Sequence, residues 1–382
     1  MLRLRLSAGT SALVLIGLLA PAHQLPASAD PVPVPEPTAT PSQPPSATPA
    51  DEPTTQPEPD PEGDAESRTE RRRSVIRVGS FNIKNVIFDR KARKTWPKRR
   101  AAIVRQVVRH RIGVLGIQEA NNGPGGIWKH GWNQYLDLRR ALAKAGVPYR
   151  LTSRAAHNCR NAFSGKRCVH RDRGASKATR ILYDSERYRV VRSGAIRYRK
   201  TAGNRSLVWA VMEVRRTGKR FLFTTTHITS SNQKAKIRQW KQMIRHLHVL
   251  KGKNNLPIVA TGDMNASKYN PITKKLLPRM RRNGFGDVLN QRYRVARIKD
   301  RRSRKTVNAW ISSYNRGRPK VSMFGHEDNR KLGAAYLDYI FASNRLPVYK
   351  WKTVVEFHPR TLRMKRPIPS DHNLVMADIG LP

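Results

Sequence analysis

The sequence predicts an α+β fold, a four-layer α/β/β/α sandwich in which two mixed β-sheets pack face to face with helices outside. Three observations predict it. Short apolar runs rich in β-branched residues recur at Val75–Ile83, Gly113–Ile117, Ala178–Tyr183, Ser206–Val214, Arg220–His227, Ile258–Asp263 and Tyr336–Ala342, each of strand length. Between them lie stretches with apolar residues at helical spacing, Arg99–His110, Gln134–Ala145 and Lys234–Leu250. Thr217-Gly218 separates two adjacent runs as a hairpin turn does, so strands neighbour strands as well as helices.

Along the chain, residues 1–29 read as a secretory signal peptide. Arg3 and Arg5 give a positive start, Leu13–Ala20 an apolar stretch, and Ala27-Ser28-Ala29 a small-residue cleavage site. The apolar stretch is broken by Gly17 and ended by Pro21, too short for a bilayer span, so no stable membrane span is expected. Residues 30–74 read as a linker. Twelve prolines, many Thr and Ser, no aromatic residue and a net charge of −9 over 30–70 cannot build a core. Residues 75–382 read as one large folded domain. The expectation is a secreted, extracellular protein, with cell-wall association as a variant of it, acting as a monomer. In an oxidising compartment Cys159 and Cys168, nine apart in a stretch rich in polar and charged residues, are expected to form one disulfide.

Charge is distributed unevenly. The net charge is +49, yet residues 1–70 hold three basic and ten acidic side chains. That leaves 72 basic and 16 acidic residues over 71–382, a net +56. Such a domain attracts polyanions over long range, whether nucleic acid, anionic lipid or acidic wall polymer.

The chemistry-bearing residues stand where the predicted strands stop. They are Asn82 after the first run, Glu119 after the second, His227 closing Arg220–His227, Asp263 and Asn265 closing Ile258–Asp263, Asp338 within Tyr336–Ala342, and Asp371-His372 before the last apolar run, Leu374–Ile379. Carboxylates are scarce in 71–382, and four of the 16, Glu119, Asp263, Asp338 and Asp371, fall on these positions. A domain that attracts phosphates keeps acids there for their charge.

In order and wording these six motifs resemble the endonuclease/exonuclease/phosphatase superfamily, the deoxyribonuclease I-like enzymes among them, over essentially all of 75–380. The resemblance implies a metal-dependent phosphodiester hydrolase. It implies Glu119, Asn82 and Asp371 as metal ligands, Asp263 and Asn265 as positioning the attacking water and the scissile phosphate, and Asp338 as orienting His372 and favouring its charged form. It makes His227 a second catalytic histidine. Oxygen donors of this kind suit Mg²⁺ or Mn²⁺, with Ca²⁺ as a further candidate cation, better than Zn²⁺. Lys84 stands where repair-type members often carry an acid, and Arg205 where the family often has a phosphate-contacting arginine; both are expected to bind substrate phosphate. The glutamate that pairs with the second histidine in deoxyribonuclease I has no counterpart in Gly174–Ala178.

Charge and resemblance together point to a nuclease, most of all for DNA, with RNA as the other nucleic-acid substrate and little sequence preference. Two alternatives belong to other classes: a phospholipid phosphodiesterase or phosphatase of sphingomyelinase type, and a basic nucleic-acid-binding protein without activity. The first needs an apolar membrane-inserting loop, for which Gly123–Trp128 with Trp132 is the single candidate. The second is opposed by the intact motifs.

Overall fold

A computed structural model describes residues 74–89, 92–121, 133–153, 178–201, 205–289, 306–323 and 334–382, with no side-chain description at 92–94 and 254. The signal and linker segments, Cys159, Cys168 and the Gly123–Trp132 stretch lie outside the described residues.

In chain order the strands are β1 Ser74–Asn82, β2 Val114–Gln118, β3 Tyr149–Leu151, β4 Arg180–Asp184, β5 Tyr188–Arg197, β6 Ser206–Val214 and β7 Arg220–His227, then β8 Ile258–Asp263, β9 Phe285–Asp287, β10 Thr306–Val307, β11 Asp338–Ser343, β12 Val348–Val354 and β13 Leu374–Leu381. The helices are α1 Ala92–Arg109, α2 Gln134–Lys144, α3 Gln233–Asn254 and α4 Pro271–Arg282. One sheet has seven strands in the order β10-β12-β13-β1-β2-β4-β3; the other has six, β5-β6-β7-β8-β11-β9. Both mix parallel and antiparallel pairs, as expected. β1 runs parallel to β2, and β7 to β8, while β13 and β11 run antiparallel to β1 and β8.

Alternation along the strands divides the apolar residues between layers. In β1, Ile76 and Val78 join a core shared with the second sheet, which includes Phe223 and Val259 and continues to Trp240 and Leu247 of α3. Phe81, one strand face over, packs instead with Trp96 and Ile103 of α1 and Leu138 of α2. Side chains in these cores are almost completely buried, each worth about 1.5–3 kcal/mol by transfer arithmetic.

The two sheets approach closely at Gly116. A Cβ on Gly116 would lie 2.5 Å from both Thr225 Oγ1 and Thr261 Oγ1, so only glycine admits the two threonines of the facing sheet there. Beside it Gln118 Nε2 donates to Thr225 Oγ1 at 2.9 Å, a buried polar link between layers.

Some boundaries differ from expectation. α1 begins at Ala92, seven residues ahead of Arg99. The turn ahead of Pro97 is anchored by Trp96, fully buried, whose Nε1 donates to Asp137 at 2.6 Å. α4, absent from the sequence reading, is capped by Asn270, whose side chain accepts from the Ile272 N–H, and has Pro271 in its first turn.

Candidate active site

Register brings the motifs to one end of both sheets. Asn82 stands opposite Gln118 across the parallel pair β1–β2. In the other sheet His227, Asp263 and Asp338 form one row across β7, β8 and β11. Because β13 runs antiparallel to β1, the segment before it, Ser370-Asp371-His372, returns to the end where β1 stops. Ser370 Oγ donates to Asn82 O at 2.7 Å, which joins the two motifs directly.

A hydrogen-bond web then fixes the side chains. Asn82 Nδ2 donates to Glu119 Oε1 at 3.1 Å and to Asp263 Oδ2 at 3.0 Å. The Asn85 N–H donates to Glu119 Oε2 at 3.0 Å, and the Lys84 N–H to Asn82 Oδ1 at 3.0 Å. The Asn265 N–H donates to Asp263 Oδ1 at 2.8 Å. His372 Nδ1 lies 2.8 Å from Asp338 Oδ2, with its other nitrogen 3.8 Å from Asp263 Oδ2. Lys84, Glu119 and Asn265 all take left-handed backbone conformations, with φ of 54°, 57° and 47°. Such conformations are uncommon outside glycine and are held here by the surrounding bonds.

Burial separates the titration of the two histidines. Burial would lower the pKa of His372, but Asp338, Asp263 and Asp371 outweigh it and raise it to about 10, so the imidazole is charged. Burial lowers His227 well below the usual range, with Arg205 and His372 adding repulsion. Asn265 Nδ2 donates to Ile228 O at 2.8 Å and faces His227 Nε2 at 3.0 Å. With that amide orientation Nε2 accepts and the proton sits on Nδ1, which is buried with no hydrogen-bond partner. Among the described residues no carboxylate meets Nδ1, and the carboxylate near this ring is Asp263, whose Oδ2 lies 3.5 Å from Nε2. Burial also raises Asp263, to about 7, helped by Asp338 and opposed by His372.

The remaining expected residues divide. Arg205, just ahead of β6, is partly buried, which lowers its pKa, while the charges of Asp263 and Glu119 act to raise it. Lys84 contributes its backbone N–H to Asn82, and its ammonium lies 3.3 Å from Asp89. Asp371 holds its Oδ1 3.2 Å from Ser370 Oγ.

Three participants escaped the sequence reading. Lys236, buried in the first turn of α3, donates from Nζ to Asn265 O at 2.7 Å. Tyr314 lays its ring against His372 with centroids 4.8 Å apart, and burial together with Asp371, Asp263 and Glu119 raises its pKa. Arg99, in α1, donates to Ile83 O and Pro369 O, both at 2.9 Å, and pairs with Asp89, so it clamps the two chain segments that flank the site. The first two sit on a helix and a loop between motifs, and a lone Lys or Tyr there carries no sequence signal. Arg99 stood within a recognised helix, but its partners lie far along the chain.

Two donor groups could hold a divalent ion. Asp263, Asp338 and His372 offer atoms within 4.8 Å of one another. A charged His372 with Nδ1 engaged by Asp338 has no free lone pair, however. Asn82, Glu119 and Asp371 offer oxygen alone, the donor type of a hard cation.

A model of the Endonuclease/Exonuclease/phosphatase family matches residues 79–372. No curated protein gives a match. Among solved structures, an endonuclease/exonuclease/phosphatase family protein from Bacteroides thetaiotaomicron is similar at TM-score 0.57 and 20% identity, over 81% of this chain and 96% of that one. The mannosyl-6-phosphatase of Bacteroides thetaiotaomicron VPI-5482 is similar at 0.56 and 21%, over 80% and 99%. D. rerio TDP2 complexed with single strand DNA product is similar at 0.50 and 17%, over 80% and 99%. At these identities the likeness is one of fold.

Proposed function

Since the chain belongs to the endonuclease/exonuclease/phosphatase family, whose members are metal-dependent phosphoesterases and nucleases, we propose that it is a secreted nuclease that hydrolyses DNA, and RNA as a second substrate, with little sequence preference. The observation that carries this reading is the convergence of four carboxylates and a charged histidine at one end of a domain of net charge +56. A strongly cationic domain gathers polyanions, and counterion release from nucleic acid supplies affinity without base readout.

The cation is placed on Glu119, Asn82 and Asp371, with Mg²⁺ or Mn²⁺ the best match to all-oxygen donors and Ca²⁺ a further candidate. When bound, it neutralises phosphate oxygens and stabilises the charge of the transition state. The protein's own groups do the rest. Asp263, held by Asn82 and the Asn265 N–H, is placed to take a proton from the attacking water. His372, kept charged by Asp338, donates toward the phosphate, and Arg205 adds a second positive group on the Asp263 side.

Secretion rests on the sequence of residues 1–29, and no described helix is long and apolar enough to cross a membrane. The nuclease reading is tested by incubating the full chain with plasmid, RNA and sphingomyelin vesicles, each with Mg²⁺ and with EDTA, beside His372→Ala. Nicking that requires both metal and His372 is expected. Release of choline phosphate without nicking would overturn it in favour of a phospholipase.

A further inference from the structure

Directly after Asn82 and Lys84 the chain makes a short 3₁₀ turn, Val86-Ile87-Phe88, that puts two large apolar side chains into solvent. Ile87 is 58% exposed and Phe88 66%. Among the described residues the other exposed large apolar side chains, Val75, Val191 and Val249, are each isolated, and Phe88 is the one aromatic of the group. Scattered single apolar residues on a surface are ordinary; an adjacent aliphatic–aromatic pair beside a catalytic centre is a contact surface.

The turn is rigid and registered to the site. Its cap residue, Asn85, donates its N–H to Glu119 Oε2 and accepts the Ile87 N–H on its side chain at 3.1 Å. Asn121 Nδ2 also donates to Asn85 Oδ1 at 3.0 Å. The Val86 N–H donates to Gln134 Oε1 at 3.2 Å, while Val86 itself is buried. Beyond the turn Asp89 is locked by Arg99 and Lys84. Every backbone anchor is therefore satisfied, and the two exposed side chains contribute nothing to the fold that the structure shows.

We propose that Ile87 and Phe88 form a ledge on which a nucleobase of the bound strand stacks, next to the scissile phosphate. The proposal rests on the nuclease reading and narrows it to strands whose bases are free to unstack. Two observations select a nucleic acid as occupant. The ledge is joined through one residue, Asn85, to a carboxylate of the catalytic cluster, so a strand bound at that cluster passes close to it. The surrounding domain is cationic, and a phosphate backbone supplies the charge complement while its bases supply flat apolar faces. A stacked aromatic tolerates any base, which agrees with low sequence preference.

The test compares full-length wild type with Ile87→Ser/Phe88→Ser in EDTA, by fluorescence anisotropy of a labelled single-stranded oligonucleotide and of one with the same phosphates but a tract of abasic residues. The expected result is about tenfold weaker binding of the base-containing strand by the variant, with the abasic strand bound equally by both proteins and the melting temperature unchanged. Equal affinity for the base-containing strand overturns the ledge, as does an equal loss on the abasic strand. Loss of sedimentation with sphingomyelin vesicles while oligonucleotide affinity is unchanged overturns it in favour of a lipid surface. Failure of wild type to cleave any nucleic acid with Mg²⁺ would sink the nuclease reading separately, and the binding comparison in EDTA would still decide the ledge.

Discussion

At the scale of single residues, the pair Asp338–His372 sets the chemistry. Asp338 is fully buried with Oδ1 unpartnered and Oδ2 on the imidazole, so its negative charge is directed at one target. His372→Ala should lower kcat by about 10²–10⁴-fold, the usual worth of a positioned proton donor. Asp338→Asn should lose a similar factor with little change in KM, because the amide removes the largest of the contributions that keep His372 charged. Equal kcat for Asp338→Asn and wild type in steady-state nicking assays would remove Asp338 from the mechanism. His227 differs: neutral, with Nε2 accepting from Asn265, it acts as a spacer for that amide. His227→Gln should cost within about tenfold in kcat, the worth of one neutral hydrogen bond, and a loss as large as that of His372→Ala would contradict the tautomer argued here. These positions were legible in the sequence because scarce carboxylates and other polar residues recur near strand ends in an order that resembles the family's motifs; alone, each would pass for a turn or surface residue. Lys236, Tyr314 and Arg99 were not, since the contacts that tie them to the site, to Asn265, His372 and Pro369, cross 29 or more positions in the chain.

At the scale of elements, long strands with apolar alternation were readable and short or polar ones were not. Ser206–Val214, Arg220–His227 and Ile258–Asp263 match their expected limits. β3, β9 and β10 have three, three and two residues, too few for any periodicity. β5 is a sheet edge with charged, exposed positions, so its pattern is diluted. Sheet spacing is likewise invisible in sequence, yet it has a clear lever in Gly116. Gly116→Val should destabilise the fold by about 1–3 kcal/mol through overpacking against Thr225 and Thr261, read as a lower urea midpoint at unchanged slope. Since Thr225 and Thr261 each lie two residues from the His227 and Asp263 ends of their strands, the surviving folded fraction should also lose specific activity. A stable, fully active variant would show that the sheets have slack there.

At the scale of the whole molecule, net charge was the one functional property available directly from composition. Its expected signature is kinetic. On DNA, kcat/KM should fall linearly in a double-logarithmic plot against salt, with a slope set by the number of phosphates neutralised; a flat line between 50 and 200 mM would mean that the charge serves something other than substrate capture. The catalytic groups themselves are divided between the layers. Asn82, Glu119, Asp371 and His372 come with the seven-stranded sheet, and His227, Asp263, Asn265 and Asp338 with the six-stranded one. The segment carrying Asp371 and His372 is seated by β13, which pairs along the length of β1, from Ser74 with Leu381 to Ser80 with Val375. The first and last described strands must therefore meet before a cation site or a charged histidine exists. Pairing at such sequence separation is slow to form, and a chain still being synthesised lacks one of the two partners. A chain truncated before Leu374 is therefore expected to lack the assembled site however much of it folds, and metal-dependent cleavage by such a truncation would contradict this.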